Sequence, residues 1–406
     1  MDARMNRKGF VAMTGAAGLA AFLAACGGSS SDSGSSSEGG DSAAATATAA
    51  ATTTAAAFDP ATEPNDPVRV FTWAGYDDSP KDGFPPMWAQ YSAGPYGEQS
   101  PLEFTFLDDD TQALAKVASG FGADIMHPCG SFIKKWQEAG LIQPLDTSLL
   151  PDWAGVPESL KANGFIDGVY YHLPFDTGFT ALTYDADAVN FDESGGEESW
   201  KVLLDSRYKG KMSLFRGPDE VIGIGALINR GAKDPWTLSL EEIEAAKETA
   251  LQVKGNLRNY WTSQTETIND FVNGNLLVTS TWPDGYWRIK NHPKMKGRNI
   301  KYMQPVEGRI LWVCGMVLSA TSPVPGRSMM AMASTNTPAV SAQLLDDWQY
   351  AGAQQNGVDA LIKNKELISV FGIDQPELWA PPYAWPQAPV EPYKEYIAAG
   401  QEVLDS

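Results

Sequence analysis

Residues 68–75 read Val-Arg-Val-Phe-Thr-Trp-Ala-Gly, an apolar run with the composition of a strand that breaks off at a glycine. Runs of the same kind follow at residues 102–107 and 123–126, and residues 111–119 and 133–139 carry helical patterns. Strands and helices that alternate at this pace predict an α/β fold, with helices that flank a mainly parallel sheet.

The second half of the chain continues this alternation. Strands are expected at 182–184, 211–215 and 275–282, and helices at 240–254 and 267–272. Ser239 stands just before the longer helix, where its hydroxyl can accept a hydrogen bond from an unpaired N–H group, and glutamates fill the first turn. These patterns predict a second α/β unit.

Composition narrows the class of protein. The chain has 406 residues, 50 acidic and 30 basic, and a formal net charge of −20. Such a charge argues against nucleic-acid or anionic-membrane binding, because both need a basic surface. Hydrophobic residues make up 43% of the chain and include 13 Trp, so the chain as a whole is not disordered. Its length allows two or three domains. Three cysteines are too few for a disulfide-dense scaffold.

The first 26 residues have the composition of an export signal. Basic residues precede an apolar stretch at 10–23, which is shorter than the roughly 20 apolar residues of a membrane-spanning helix. It closes with Leu23-Ala24-Ala25-Cys26, which resembles a bacterial lipobox, so we expect Cys26 to be acylated and to become the mature N-terminus. Residues 7–10 also resemble a twin-arginine signal in which Lys8 replaces the second arginine, and both export routes stay open.

Residues 27–57 contain only Gly, Ser, Asp, Glu, Ala and Thr. Such a composition has no large apolar side chain to offset the entropy of ordering, so it predicts a flexible tether. Residues 58–67 form a proline-rich lead-in, and we expect the folded part to begin near Val68. The segment 27–67 would thus hold a globular body above a membrane.

No sequence motif of catalysis is present. The three histidines, His127, His172 and His292, have no metal-ligand spacing, and phosphate-binding, dinucleotide-binding and nucleophile-elbow motifs are absent. This favours a binding protein with no catalytic residues, no cofactor and no metal. The enzyme alternative is a thiol enzyme that uses Cys129 with His127, for which no third orienting group is evident.

Seven segments resemble the spermidine/putrescine-binding proteins, the extracytoplasmic solute receptors of bacterial polyamine ABC importers. In chain order they are 70–76 (VFTWAGY), 123–128 (ADIMHP), 173–178 (LPFDTG), 199–200 (SW), 208–211 (YKGK), 271–282 (FVNGNLLVTSTW) and 305–312 (PVEGRILW). Their number, order and spacing carry the resemblance, which runs from about Val68 to the C-terminus.

The resemblance implies a two-lobed periplasmic-binding-protein fold with the ligand cleft at the hinge. Lobe one would comprise residues 68–177 plus 314–360, and lobe two residues 178–313 plus 361–406. It also implies a monomer that closes around a small cationic ligand and delivers it to the permease subunits of an importer. The protein would then be periplasmic, or at the outer face of the cell membrane, and held there by the lipid on Cys26.

The resemblance also implies most of the ligand-binding residues. Trp73 and Tyr76 match the aromatic pair after the first strand, and Trp282 and Trp312 match two tryptophans of the second lobe and crossover. Glu220 matches a carboxylate that binds an amine. Aromatic rings suit this task, because cation–π contacts contribute ~0.5–2 kcal/mol each.

Several positions depart from the family pattern. Cys314 and Gly217 stand where the family has aspartates, Cys129 replaces a serine, and Ser131, with Phe132 beside it, replaces a tyrosine. A further tyrosine, which follows the late helix of lobe one in the family, has no counterpart near residue 357. The ligand site therefore retains its aromatic residues and loses part of its acidic set.

Replacement groups are at hand elsewhere. Asp176 at the crossover and Asp284 after Trp282 are candidate carboxylates, and Gln387 is a candidate amide. Cys129 and Cys314 could be buried small hydrophobes, a disulfide or thiols that line the site. The ligand class stays open between polyamines such as putrescine and spermidine, a quaternary amine, an amino acid and a metal chelate.

Overall fold

The computed structural model describes residues 58–77, 86–107 and 110–406. The strands are Val68–Trp73 (β1), Leu102–Leu107 (β2), Ile125–Met126 (β3), Ile142–Gln143 (β4), Phe165–Ile166 (β5), Val169–Tyr170 (β6), Leu173–Asp185 (β7), Met212–Phe215 (β8), Asn259–Trp261 (β9), Val278–Thr281 (β10), Ile300–Tyr302 (β11), Arg309–Ser319 (β12), Ala351–Gly352 (β13) and Ala384–Pro386 (β14).

Thirteen α-helices accompany them in these residues. They are Ala89–Ser92 (α1), Asp110–Ala118 (α2), Ile133–Glu138 (α3), Glu158–Lys161 (α4), Pro218–Arg230 (α5), Leu240–Asn256 (α6), Gln264–Val272 (α7), Pro283–Lys290 (α8), Pro325–Thr335 (α9), Pro338–Trp348 (α10), Val358–Leu361 (α11), Lys365–Phe371 (α12) and Tyr393–Asp405 (α13). Short 3-10 turns, such as Gly130–Phe132, connect several of them.

The regular elements expected from the sequence are present within a few residues of their expected bounds, except that the strand expected at 182–184 is the end of the longer β7, Leu173–Asp185. β1 and β2 coincide with the two predicted strands, and α6 begins after Ser239 as predicted. The Ser239 hydroxyl accepts a hydrogen bond from Glu242 N, and the Glu242 carboxylate accepts one from Ser239 N, which closes a capping box. Helix α6 is therefore fixed by local chemistry at its N-terminus.

The α/β fold is confirmed, but its main sheet is mixed. Twelve strands form it, with the central order β2-β1-β3-β12-β7-β10-β8-β9. Strands β1, β2 and β3 pair in parallel at one end, and β8, β9 and β10 at the other. Between them the long strands β7 and β12 run antiparallel to each other and to their neighbours β10 and β3. The expectation of a mainly parallel sheet is thus correct for the two ends and wrong for the centre, where two crossover strands pass in opposite directions.

The buried hydrophobic core follows the two ends of the sheet. One set of core residues surrounds β1–β3 and α9, and another packs α5, α6 and α13 against β8 and β10. A third cluster includes Phe179 and Leu311 on the crossover strands and Trp379 beyond α12. These clusters do not test the expected lobe boundaries, so the division into two lobes at those residues remains a prediction.

The lead-in is part of the folded body, contrary to the expectation that folding begins near Val68. Arg327 on α9 is 2% exposed, and its guanidinium donates hydrogen bonds to the carbonyl oxygens of Pro60, Glu63 and Pro64 at 2.7–3.1 Å. The Glu63 carboxylate in turn accepts hydrogen bonds from the N–H groups of Gly326 and Arg327, at the start of α9. We call this arrangement the Arg327 clamp.

The predicted signal, Cys26 and tether lie outside the described residues. Within residues 58–77, 86–107 and 110–406, no helix is long and apolar enough to cross a membrane.

Candidate ligand-binding site

The crossover strands β7 and β12 present most of the candidate residues on one face. In their antiparallel register Cys314 lies opposite Asp176, Trp312 opposite Gly178, and Ile310 opposite Thr180. Residues directly opposite in such a pair point to the same side, and every second residue along a strand does so too. We call this face, which carries Asp176, Gly178, Thr180, Trp312 and Cys314, the crossover face.

The two cysteines at one end of the crossover face are joined. Cys129 and Cys314 form a disulfide, with 3.8 Å between their Cα atoms. Of the three alternatives left open by the sequence, the structure thus has the disulfide. It also removes the free thiol that an enzyme with Cys129 as nucleophile would need, because a thiolate is the attacking species.

Asp176 is fully engaged by residues from the first end of the sheet. The Tyr76 hydroxyl donates a hydrogen bond of 2.6 Å to Asp176 Oδ2, and His127 Nε2 lies 2.9 Å from Asp176 Oδ1. The other ring nitrogen of His127 is 2.8 Å from the Thr72 hydroxyl. Burial, and then the charge of Asp176, raises the pKa of Tyr76 well above its ordinary value, so the phenol stays protonated as a donor.

Trp312 lies flat against the middle of the crossover face because Gly178 has no side chain. A Cβ atom on Gly178 would lie 2.4 Å from Trp312 Cζ2, which is inside the contact limit. The Tyr350 ring meets the indole edge to face, with the ring centres 5.1 Å apart. Trp312 is 9% exposed, and its Nε1 has no hydrogen-bond partner among the described residues.

Asp284 connects this aromatic pair to the second end of the sheet. Its Oδ1 accepts a hydrogen bond of 3.1 Å from the Tyr350 hydroxyl, and both of its oxygens accept from Gln264 Nε2. Gln264 Oε1 accepts from Trp282 N, 2.9 Å away. Burial raises the pKa of Asp284, against the opposing effect of these hydrogen bonds.

Trp282 belongs to an aromatic cluster at the start of α8. Its ring centre lies 5.6 Å from that of Phe215 and 5.5 Å from that of Trp261. Phe215 ends β8, directly before the turn that leads into α5 and Glu220. The cluster therefore lies next to the turn between β8 and α5, the helix that carries Glu220.

Glu220 closes the far end of the crossover face. The Thr180 hydroxyl donates a hydrogen bond of 3.2 Å to Glu220 Oε1, whereas Oε2 is buried without a partner in the described part of the chain. Burial, and then the charge of Asp219, raises the pKa of Glu220 from 4.5 to about 8. A buried carboxyl of this kind is poised to receive a cation, since an ammonium beside it restores the ionised form.

The remaining candidates lie at the edge of this arrangement. Trp73 is half-buried at the end of β1, and its Nε1 is also unpartnered among the described residues. Ser131 is half-buried in the 3-10 turn after Cys129. The ammonium nitrogen of Lys135 lies over the Phe132 ring, 4.3 Å from the ring centre. Gln387 uses its backbone, which donates to Leu311 O and accepts from Asn163.

Sequence reasoning missed several residues of the site, among them Thr180, Tyr350, Gln264 and His127. Tyr350 follows the last residue of α10 by two positions, so it is a tyrosine after the late helix, although none was found near residue 357. Gln264 and His127 were not assigned to the site because their partners Asp284 and Asp176 are 20 and 49 residues away. A helix prediction for residues 338–348, which the sequence analysis did not make, would have placed Tyr350 after a late helix.

Known proteins with similar sequences are solute receptors. Residues 103–366 match the sequence model of the family described as bacterial extracellular solute-binding protein. The putrescine-binding periplasmic protein PotF of Escherichia coli is 27% identical over 251 residues, which cover 59% of this chain and 67% of that protein. For SpuD of Pseudomonas aeruginosa, a protein of the same description, the identity is 26%, with 54% and 64% covered. The match thus spans about two thirds of these relatives' length or less.

Solved structures show the same fold at lower sequence identity. The spermidine/putrescine ABC transporter substrate-binding protein PotD of Streptococcus pneumoniae superposes with a TM-score of 0.66 at 16% identity, over 84% of this chain and 99% of that one. The Tp0655 lipoprotein of Treponema pallidum gives 0.65 at 16% identity, over 83% and 98%. With a family match that covers more than half of its length, the chain belongs to the bacterial extracellular solute-binding proteins.

Proposed function

We propose that this protein is the receptor for a polyamine or a related organic cation and delivers it to an ABC importer without catalysing a reaction. The observation that carries the proposal is Glu220, whose buried Oε2 has no partner among the described residues and lies at the end of a face walled by Trp312. An ammonium group supplies the donor and the charge that this oxygen lacks. The putrescine-binding relatives support the same ligand class.

Aromatic rings would bind the rest of such a ligand. The Trp312 ring contacts the Tyr350 ring, and the Tyr350 hydroxyl donates to Asp284. Gln264, which donates to Asp284, accepts from the backbone N–H of Trp282 at the start of α8. Methylene groups pack against such rings, and a nearby cation gains ~0.5–2 kcal/mol from a ring face. The aromatic surfaces would thus orient a cation whose charge is met by Glu220.

The transport role adds two elements to the proposal. Closure of the lobes 68–177 plus 314–360 and 178–313 plus 361–406 would trap the ligand, and the closed form would dock on the permease as a monomer. Acylation of Cys26 would tether the receptor to the outer face of the membrane. Replacement of Cys26 by Ser in the full chain should release the protein from washed membranes, and retention there would refute the lipid anchor.

Receptors of this fold for other solutes are the alternative. A quaternary amine has no N–H group to donate to Glu220 and would depend on the aromatic rings alone. Choline and betaine therefore test whether charge or hydrogen bonding decides recognition. A metal chelate finds less support, since the described residues contain no group of three or more His, Cys, Asp or Glu side chains that could hold a metal ion.

Calorimetric titration of the full chain with putrescine, spermidine, choline and betaine tests the proposal. We expect saturable binding of at least one of them, with the ligand recovered unchanged. Glu220→Gln should weaken it at least tenfold. Glu241→Gln is the matched control, because Glu241 lies in the first turn of α6 as Glu220 does in α5 but is exposed. Absence of binding by every amine, or equal loss in both variants, would refute the proposed function.

A further inference from the structure

Two buried polar atoms of the site have no hydrogen-bond partner among the described residues. One is a donor on the crossover face, and the other is an acceptor at the end of that face. Trp312 Nε1 and Glu220 Oε2 have no hydrogen-bond partner among the described residues, and the two side chains belong to residues that are 9% and 5% exposed. An indole N–H only donates, whereas a carboxylate oxygen accepts. Buried groups of this kind cost free energy unless something satisfies them, so both atoms indicate a ligand.

The strand positions next to the two atoms are close enough for one small molecule to reach both. Trp312 lies opposite Gly178, and Thr180, two residues further along β7, holds Glu220. At ~3.4 Å per residue these positions on the strand are about 7 Å apart. The absent side chain of Gly178 lets the indole approach the strand closely at that position. A ligand that lies along this face therefore meets both atoms.

The other carboxylates of the site have their partners already. Asp176 accepts from Tyr76 and lies within hydrogen-bond distance of His127, and Asp284 accepts from Gln264 and Tyr350. Cys314, on the same face, is held in the disulfide and offers no acidic group. Of the acids assigned to the site, Glu220 is the one with an unpartnered buried oxygen. Glu220 Oε2 is thus the acceptor that these acids leave without any hydrogen bond in the described part of the chain.

We infer that the ligand has a single ammonium group, bound by Glu220, and a hydrogen-bond acceptor at its other end, bound by Trp312 Nε1. This inference rests on the proposed function and narrows it to amines that carry a hydroxyl, carbonyl or carboxylate group. A second ammonium group, as in a diamine, has only N–H donors and leaves the indole N–H unsatisfied. The acceptor end is therefore what distinguishes the ligand from a simple polyamine.

A series of four-carbon amines tests this by calorimetry with the full chain. Butylamine, putrescine, 4-aminobutan-1-ol and 4-aminobutyrate share the ammonium end and differ at the other end. We expect the alcohol or the carboxylate to bind at least tenfold more tightly than both butylamine and putrescine. Trp312→Phe keeps a ring against Gly178 but removes the N–H donor, so it should abolish that preference.

Two controls separate folding from recognition. Trp136→Phe makes the same chemical change at another buried indole whose Nε1 has no partner among the described residues, in α3 and outside the site, and should keep the preference. Thermal unfolding of each unliganded variant checks that the fold persists, and Glu220→Gln should weaken binding of the whole series.

Two results would overturn the inference. If putrescine binds most tightly and Trp312→Phe leaves the order of affinities unchanged, the single-ammonium inference is wrong while the proposed function stands. If none of the four amines binds, and spermidine and choline do not bind either, the proposed function falls and the inference falls with it.

Discussion

The Tyr350 hydroxyl donates a hydrogen bond of 3.1 Å to Asp284 Oδ1, across 66 residues of sequence. Tyr350 lies beside β13, which pairs with the crossover strand β7, whereas Asp284 lies in the first turn of α8. This bond is thus a direct link between the predicted lobes at the candidate site. We expect this bond to increase the affinity of the closed form for a ligand.

Replacement of Tyr350 by Phe should therefore weaken ligand binding by about tenfold, because it removes a hydrogen bond to a charged group worth ~1.5–3 kcal/mol and keeps the ring contact with Trp312. Calorimetric titration with the best amine measures the change. Tyr260→Phe is the control, since the buried Tyr260 hydroxyl has no hydrogen-bond partner among the described residues. Equal affinities for wild type and Tyr350→Phe would show that the bond does not support the bound state.

Ligand affinity should rise with pH up to about 8. Because the pKa of Glu220 is raised to about 8, a cation that binds the ionised form must displace a proton at lower pH. Between pH 6 and 8 this gives an increase of up to about tenfold per pH unit, which levels off above pH 8. Titrations at pH 6, 7, 8 and 9 measure it. The same profile in Glu220→Gln would assign the effect to another group.

The unliganded protein should show the opposite trend in stability. A carboxyl with a raised pKa holds its proton in the folded state and loses it in the unfolded state between pH 4.5 and about 8. Its contribution therefore lowers the free energy of unfolding as pH rises through this window. Denaturant unfolding of wild type and Glu220→Gln at pH 5 and 8 tests the sign. The variant should gain stability relative to wild type at pH 8, and a relative loss there would contradict the prediction.

Reduction of the Cys129–Cys314 disulfide should destabilise the protein by about 2–5 kcal/mol, because the bond joins residues 185 positions apart. Thermal unfolding with and without reductant measures the loss. The double variant Cys129→Ala/Cys314→Ala should unfold at the lower temperature and be insensitive to reductant. If wild type is equally insensitive, and both thiols are alkylated without reduction, the disulfide is not formed.

Removal of the Arg327 clamp should release the lead-in. Arg327→Met leaves the carbonyl groups of Pro60, Glu63 and Pro64 without their donor and the largely buried Glu63 carboxylate without its ionic partner. Removal of one partner of a buried ion pair costs about 3–5 kcal/mol. Limited proteolysis should then cut within residues 58–67 before the rest of the chain. Arg207→Met is the control, since that guanidinium lies at the surface and pairs with Asp205. Unchanged protection of the lead-in would mean that other contacts hold it.

Local chemistry was predictable from the sequence, and long-range pairing was not. Ser239 and Glu242 are three residues apart, so their capping box could be anticipated from helix signals alone. Tyr76 and Asp176 are 100 residues apart, and both were assigned to the ligand. The structure pairs them with each other, because a buried carboxylate takes the nearest donors and the fold alone decides which these are.

The central strands show the same limit. Their apolar runs predict buried strands, yet direction within a sheet depends on how the chain crosses between its two ends, which no local pattern encodes. The lead-in was assigned to the tether because prolines dominate it. Its order depends on Arg327, more than 260 residues away in the chain.

The Arg327 clamp also determines which part of the fold would bear a force applied to the N-terminal segment. If the N-terminal segment holds the receptor to a membrane, each pull on it reaches the body at Phe58 and is borne by several hydrogen bonds to one guanidinium in α9. β1 begins after the clamp and is held independently of it by parallel pairing with β2 and β3. Tension from such an anchor would therefore load α9 before it reaches β1 and the residues Trp73 and Tyr76 at its end.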